Sequence, residues 1–178
     1  YALTFMAGAR RQVFIAFAVF LLVKKFSFTV PEVALLFLIN NSVNFFLSPL
    51  IGKYIVRFGE RKILSVEYSS LILIFIAYAM VDSKLIVALL YIADHIFFNF
   101  AIAIRTFFQK IAAPEDIAPS MAVGFTINHI AAVFLPAVGG MLWIIDYRLV
   151  FFTGALLSLA SLVLVQFITS QLPAATSE

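Results

Sequence analysis

Six apolar runs, at residues 1–23, 33–55, 63–81, 85–108, 118–145 and 149–168, are separated by breaks of only a few polar residues. Inside a bilayer every backbone N–H and C=O must be satisfied by the protein itself, which leaves helices or closed barrels. Barrel strands are about 10 residues long and alternate polar with apolar. These runs are near the roughly 20 residues a spanning helix needs and do not alternate. The expected fold is an all-α integral membrane domain, residues 1–178, with a polar tail at 171–178. Composition agrees, at 64% hydrophobic and 12% charged, against about a quarter charged in soluble domains. Disorder is excluded by the apolar content, and a disulfide-stapled domain by the absence of Cys. Little chain is left for a soluble catalytic domain. The net charge of +3 is too small to imply a nucleic-acid partner.

One break is strongly basic, with Lys53, Arg57, Arg61 and Lys62 against Glu60. The positive-inside rule places it in the cytoplasm. With six spans both ends of the segment then face the cytoplasm, as do Arg105 and Lys110, while Lys24, Lys25, Lys84 and Arg148 fall outside. The expected location is a bacterial cytoplasmic membrane. The first run is too long for a signal peptide and lacks a small-residue cleavage site. Because the sequence opens on Tyr1 rather than Met, a fragment of a longer chain is expected.

The chain also resembles itself. At an offset of 88, Pro31 coincides with Pro119, Phe37 with Phe125, Ile39 with Ile127, Asn40 with Asn128 and Leu47 with Leu135. After one deletion Pro49 and Gly52 match Pro136 and Gly139. Phe, Ile and Leu matches arise easily between apolar helices; Asn and Pro matches do not. The second span thus pairs with the fifth, dividing the chain into repeats of about 1–81 and 82–170. Three spans are an odd number, so the second repeat enters the membrane from the opposite side. Such a 3+3 inverted repeat is the construction of secondary transporters.

The second break adds a motif. Gly52-Lys53-Tyr54-Ile55-Val56-Arg57-Phe58-Gly59-Glu60-Arg61-Lys62 resembles the G-x-x-x-D-R-x-G-R-R-K signature of the major facilitator superfamily. Gly52, Arg57, Gly59, Arg61 and Lys62 match, whereas Val56 replaces the Asp and Glu60 the first Arg of the basic triplet. In that family the motif joins the second and third helices of each six-helix half, which is its place here. Its degeneracy resembles a C-terminal half. The resemblance implies a partner N-terminal half, or a homodimer mate, and a cavity lined by the first helix of each triplet.

Ionisable groups near mid-bilayer are costly and usually functional. Arg11 lies 13 residues before Lys24, about 20 Å of helix, too short to cross a core of about 30 Å. Arg10 and Arg11 therefore either face a central cavity, forking a carboxylate or phosphate, or snorkel to the interface. Asp94 and His95 in the fourth span exchange protons, or Asp94 forms a structural pair with Arg10 or Arg11. Asn99 stands one turn from His95. Asn40, Asn128 and His129 are further candidates for solute contact, while Asn41 and Asn44 suit helix packing. Glu67, near the cytoplasmic end, is expected to pair with Arg61 or Arg105, which with Arg57 form a candidate gate. Pro49 and Gly52, and Pro136, Gly139 and Gly140, either weaken helices at opposite membrane sides or permit close packing.

No phosphate-cradling loop, H-E-x-x-H or G-x-S-x-G occurs, so no cofactor, no metal and no enzymatic activity are expected. The expected function is secondary transport of a small, anionic solute by alternating access, coupled to protons. The alternative is a non-transporting scaffold or sensor built from a degenerate half. The expected partners are the solute, the other half and the bilayer.

Overall fold

The computed structural model describes residues 2–168. Among these, six helices are long and apolar enough to span a membrane: α1 Ala2–Lys24, α2 Val30–Phe58, α3 Glu60–Met80, α4 Lys84–Ile111, α5 Pro114–Ile145 and α6 Tyr147–Val165. No strand occurs among the described residues. The tail expected at 171–178 lies outside them.

Local chemistry sets the helix ends. Thr29 opens α2 with a capping box: its backbone N–H donates to Glu32 at 2.7 Å and its hydroxyl accepts from the Glu32 N–H, with Pro31 in the first turn. Gly59, at φ 79°, separates α2 from α3, a left-handed conformation that glycine adopts without a Cβ penalty. Ser83 and Asp146 cap α4 and α6. Most of the polar break between the fourth and fifth runs is helical, leaving only residues 112–113 outside α4 and α5. Pro114 enters as its first residue and Glu115 and Asp116 sit at its positive end, where both are favoured.

Helices α3 and α6 pack along each other, and the other four lie against them in the order α2, α4, α1, α5. Lipid is as apolar as leucine, so close approach and polar contacts, rather than hydrophobic burial, hold such helices together. Glycines permit that approach. Gly8 of α1 abuts Asn128 of α5, Gly139 of α5 lies against the Phe17 ring, and Gly154 of α6 lies under Phe75 of α3. Two helices depart from α geometry. Val13–Ala18 of α1 is π-helical and Asn99–Ala101 of α4 is a 3-10 turn.

The buried apolar side chains form two clusters. One joins Phe14, Phe17 and Leu21 with Leu71, Phe75, Tyr78, Tyr91 and Phe151. The other, toward the opposite end, joins Ile51, Ile55, Ile63, Leu64, Tyr68, Ala103 and Val165. Along the chain Arg10, Asn40, Glu67, Asp94, Ser158 and Ser161, all buried, fall at or between the boundaries of these clusters. The bundle therefore carries a polar layer across its middle.

Each end of the bundle is tied by polar contacts. At one end Lys25 donates to Asp82 at 2.8 Å, to the Val81 carbonyl at 2.7 Å and to the Tyr147 hydroxyl at 2.7 Å, joining the α1–α2, α3–α4 and α5–α6 connections. Lys84 pairs with Glu32 at 2.7 Å at the same end. At the other end Lys110 pairs with Glu60 at 2.6 Å, and Arg61 donates to Gln166 at 3.0 Å. Successive helices thus run in alternating directions.

Candidate functional site

The centre of the polar layer is Arg10. Its side chain has no solvent exposure, and neither has that of Glu67, whose Oε1 is 3.5 Å from Arg10 Nη2. The guanidinium sits over the Tyr68 ring, 4.3 Å from its centroid, a cation–π contact that desolvation strengthens. Asp94 of α4 is also fully buried, and Arg10 acts electrostatically on it as on Glu67. Tyr78 and Tyr91 stand within electrostatic reach of Asp94.

The expected pairing of Glu67 with Arg61 or Arg105 is corrected by this geometry. Glu67 lies on the inward stripe of α3 with Ile63, Leu64, Tyr68 and Leu71, so it meets α1 rather than the basic end. Arg61 is exposed and turns to Gln166, whose amide donates in turn to Ser65 at 3.1 Å. Arg105 is exposed, and Arg57 is exposed beside the Phe58 ring.

The two arginines do not share a face. Consecutive residues on an α-helix are rotated by about 100°, and Arg11 is exposed where Arg10 is enclosed. The expectation that both present their guanidiniums to one cavity is corrected accordingly. Asp94 and His95 diverge for the same reason. Asp94 is enclosed and feels the charge of Arg10, while His95 is half-buried, packs 5.9 Å from the Phe14 ring and feels the charge of Arg11.

The remaining candidates surround these two groups. Asn99, on the 3-10 turn, donates to Asn44 of α2 and, at 3.4 Å, to the His95 carbonyl. Asn44 thus bridges helices as expected, whereas Asn41 is exposed and donates back to the Phe37 carbonyl at 2.8 Å. Asn40 is 1% exposed and neither end of its amide has a hydrogen-bond partner. Asn128 is half-buried against Gly8, and His129 is exposed, its ring 4.1 Å from that of Phe125. Of the two adjacent glycines in α5, Gly139 is packed and Gly140 is open. Among the described residues no cluster of side chains suits a metal ion.

Sequence reasoning missed the Lys25 cluster and the Glu60–Lys110 pair. Partial burial pulls the Lys25 ammonium down, but its hydrogen bonds to Asp82 and Tyr147 outweigh that and hold it above the ordinary lysine value. The hydrogen bond and charge of Lys25 hold Asp82 below the usual carboxylate range. A readable signal did exist, since Lys25, Asp82 and Asp146 stand at alternate breaks and hence at one membrane face.

No curated protein and no solved structure significantly matches the chain. The sequence model of the Major Facilitator Superfamily, by contrast, matches residues 1–178. Six apolar helices, strand-free packing and this match over the full length together establish that the chain is an integral membrane protein belonging to the major facilitator superfamily of transporters.

Proposed function

We propose that this chain is the C-terminal six-helix half of a secondary transporter that moves a small anionic solute by alternating access, with protons as the coupling ion. The observation that carries the reading is Arg11, an exposed guanidinium well inside α1 whose charge His95 feels. An arginine facing lipid at that depth costs several kcal/mol, about 3 on insertion scales. Water between this body and a partner half, or a second copy, removes that cost and opens the group to a carboxylate or phosphate. Asn99, Asn128 and His129 complete the solute site in this reading. Arg10 is left out of it because it is enclosed. Asn40, also enclosed, supports the site from behind. Arg57, Arg61 and Arg105 line the cytoplasmic gate, and Glu67 acts from inside the body rather than at that gate.

The neighbours of the helices support the inverted repeat. Exchanging α1, α2 and α3 for α4, α5 and α6 leaves the set of packed pairs unchanged. The two breaks in α geometry also fall in α1 and α4, the first helix of each repeat.

The test is uptake into proteoliposomes from a panel of labelled carboxylate and phosphate solutes. Arg11→Gln should abolish uptake of any transported member while leaving membrane insertion intact, and unchanged uptake would sink the anion site. The sequence contains no Cys, so Arg11→Cys places a single thiol in this chain. Reaction with a polar thiol reagent is expected; no reaction would favour a non-transporting scaffold.

A further inference from the structure

The end of the bundle tied by Lys25 holds a groove that the proposed solute site does not use. Lys24, Lys25, Trp143, Ile145, Asp146 and Tyr147 line it, and its volume is about 480 Å³. Ligand pockets run to roughly 300–1,000 Å³, so a small ligand fits. The helix ends set its depth. Lys24 closes α1, Ile145 closes α5 and Tyr147 opens α6. Trp and Tyr gather where hydrocarbon gives way to headgroups, and a lysine there keeps its ammonium in the polar zone. The groove therefore lies at headgroup level, at the end opposite the basic break.

One wall is aromatic. The Trp143 ring stacks on Phe17 at 5.9 Å, meets Phe20 edge-on at 4.8 Å and lies 5.8 Å from the Tyr147 ring. Phe151 packs on it as well, so the indole is held in place. Its N–H has no acceptor among the described residues, and an indole at a wet boundary takes one from outside. Ile145 is 75% exposed and Phe20, one turn deeper in α1 than Lys24, is 38% exposed. An apolar chain can lie on both.

The other wall is cationic. Lys24, Lys25 and Arg148 share this corner with two carboxylates, Asp82 and Asp146. Both carboxylates are engaged, Asp82 by Lys25 at 2.8 Å and Asp146 by the backbone N–H of Arg148, also at 2.8 Å. Lys25 is committed to Asp82, the Val81 carbonyl and the Tyr147 hydroxyl. Arg148 turns to the same hydroxyl at 3.5 Å. Lys24 is exposed, and among the described residues no carboxylate pairs with it. Its Nζ stands 5.8 Å from the centroid of Phe20, the ring that also meets Trp143, so Phe20 joins the two walls.

We infer that this groove binds a phospholipid whose headgroup is net negative. The phosphate sits between Lys24 and the Trp143 N–H, and one acyl chain runs over Phe20 and Ile145. Its charge neutralises the surplus cation of the corner, whereas a zwitterionic headgroup would bring a further ammonium among three cations. The site needs neither transport nor a partner half, since α1, α5 and α6 of this body supply all of it.

The test uses Trp143 as its own reporter, because it is the one Trp in the sequence. The full-length protein, with any Trp outside these residues replaced by Phe, is placed in vesicles of phosphatidylglycerol and phosphatidylcholine in equal amounts. Only a bromine label moves, from the chains of one lipid to those of the other, so Trp143 quenching reads which lipid fills the groove. Phosphatidylglycerol should be enriched about fivefold there, the factor one lysine supplies at an anionic lipid surface. Lys24→Gln should bring the ratio close to one. Arg148→Gln changes the net charge equally but lies off the groove lining, and should keep most of the enrichment. Equal quenching by both labels in the wild type would overturn the site, as would enrichment that survives Lys24→Gln. Equal losses in the two variants would replace it with diffuse attraction to a basic corner. Glycerol 3-phosphate in solution should leave quenching unchanged. Fluorescence recovered on its addition would assign the groove to a soluble anion and overturn the lipid.

Discussion

The ring of Phe17 occupies the space that a side chain at Gly139 would need. Gly140, the next residue, meets nothing within 4 Å. Leucine at 139 should force α5 away from α1 and destabilise the protein by about 1–3 kcal/mol. Leucine at 140 should change stability little. Thermal unfolding of both variants in detergent checks this, and equal losses would mean that α5 does not seat on Phe17.

Gly59 and Gly52 are both open around the Cβ position, yet only Gly59 has a positive φ, 79°. Gly59→Ala should therefore cost about 1–3 kcal/mol through the backbone alone. Gly52→Ala, inside α2, should be neutral or stabilising by up to about 1 kcal/mol. In the same unfolding assay a loss is expected for Gly59→Ala and none for Gly52→Ala.

Stability should fall at both extremes of pH through the Lys25 cluster. Asp82 is held below its ordinary value, so its contribution is present at neutral pH and lost as pH falls through the folded-state value. Lys25 is held above its ordinary value, so its contribution is present below about 10.5 and lost as pH rises through the folded-state value. Asp82→Asn should flatten the acid limb of a melting-temperature profile. Lys25→Met should flatten both limbs and raise hydrogen exchange in all three connections it joins.

Glu60 is 6% exposed on its side chain, while Lys110 is 46% exposed. Glu60→Lys should set two cations together and cost about 1 kcal/mol or somewhat more. Glu60→Lys with Lys110→Glu should recover most of that loss. Failure of the double variant to recover would show that neither residue depends on the other.

The six spans were legible because each polar break is visible against apolar runs, and the motif at 52–62 pointed to the superfamily that the match over residues 1–178 establishes. Helix ends were less so. Helix α2 extends to Val30 and Phe58 beyond its apolar core, since caps and interfacial residues continue a helix without adding hydropathy. That Arg10 and Arg11 diverge follows from helix pitch alone; which of them turns inward depends on the rotation of α1 against α3 and α5, set by Gly8 and Phe17. The partner of Glu67 was illegible for a similar reason. Distance along α3 gave its depth, but not the face it turns toward α1. Lys25 drew no attention because its ligands are a carbonyl, a carboxylate and a phenol from three separate connections.

The π-helical stretch Val13–Ala18 holds one more residue per hydrogen-bonded turn than the α-helix around it. Upstream of it α1 keeps the rotational frame that sets Gly8 on Asn128 and Arg10 on Glu67. Downstream it keeps the frame that buries Leu21 and delivers Lys25 to Asp82. The stretch works as a phase shifter between two frames about 100° apart. In any alignment of this helix with a regular one, a single-residue gap belongs at 13–18, and placing it before Arg10 would exchange the enclosed arginine for the exposed one.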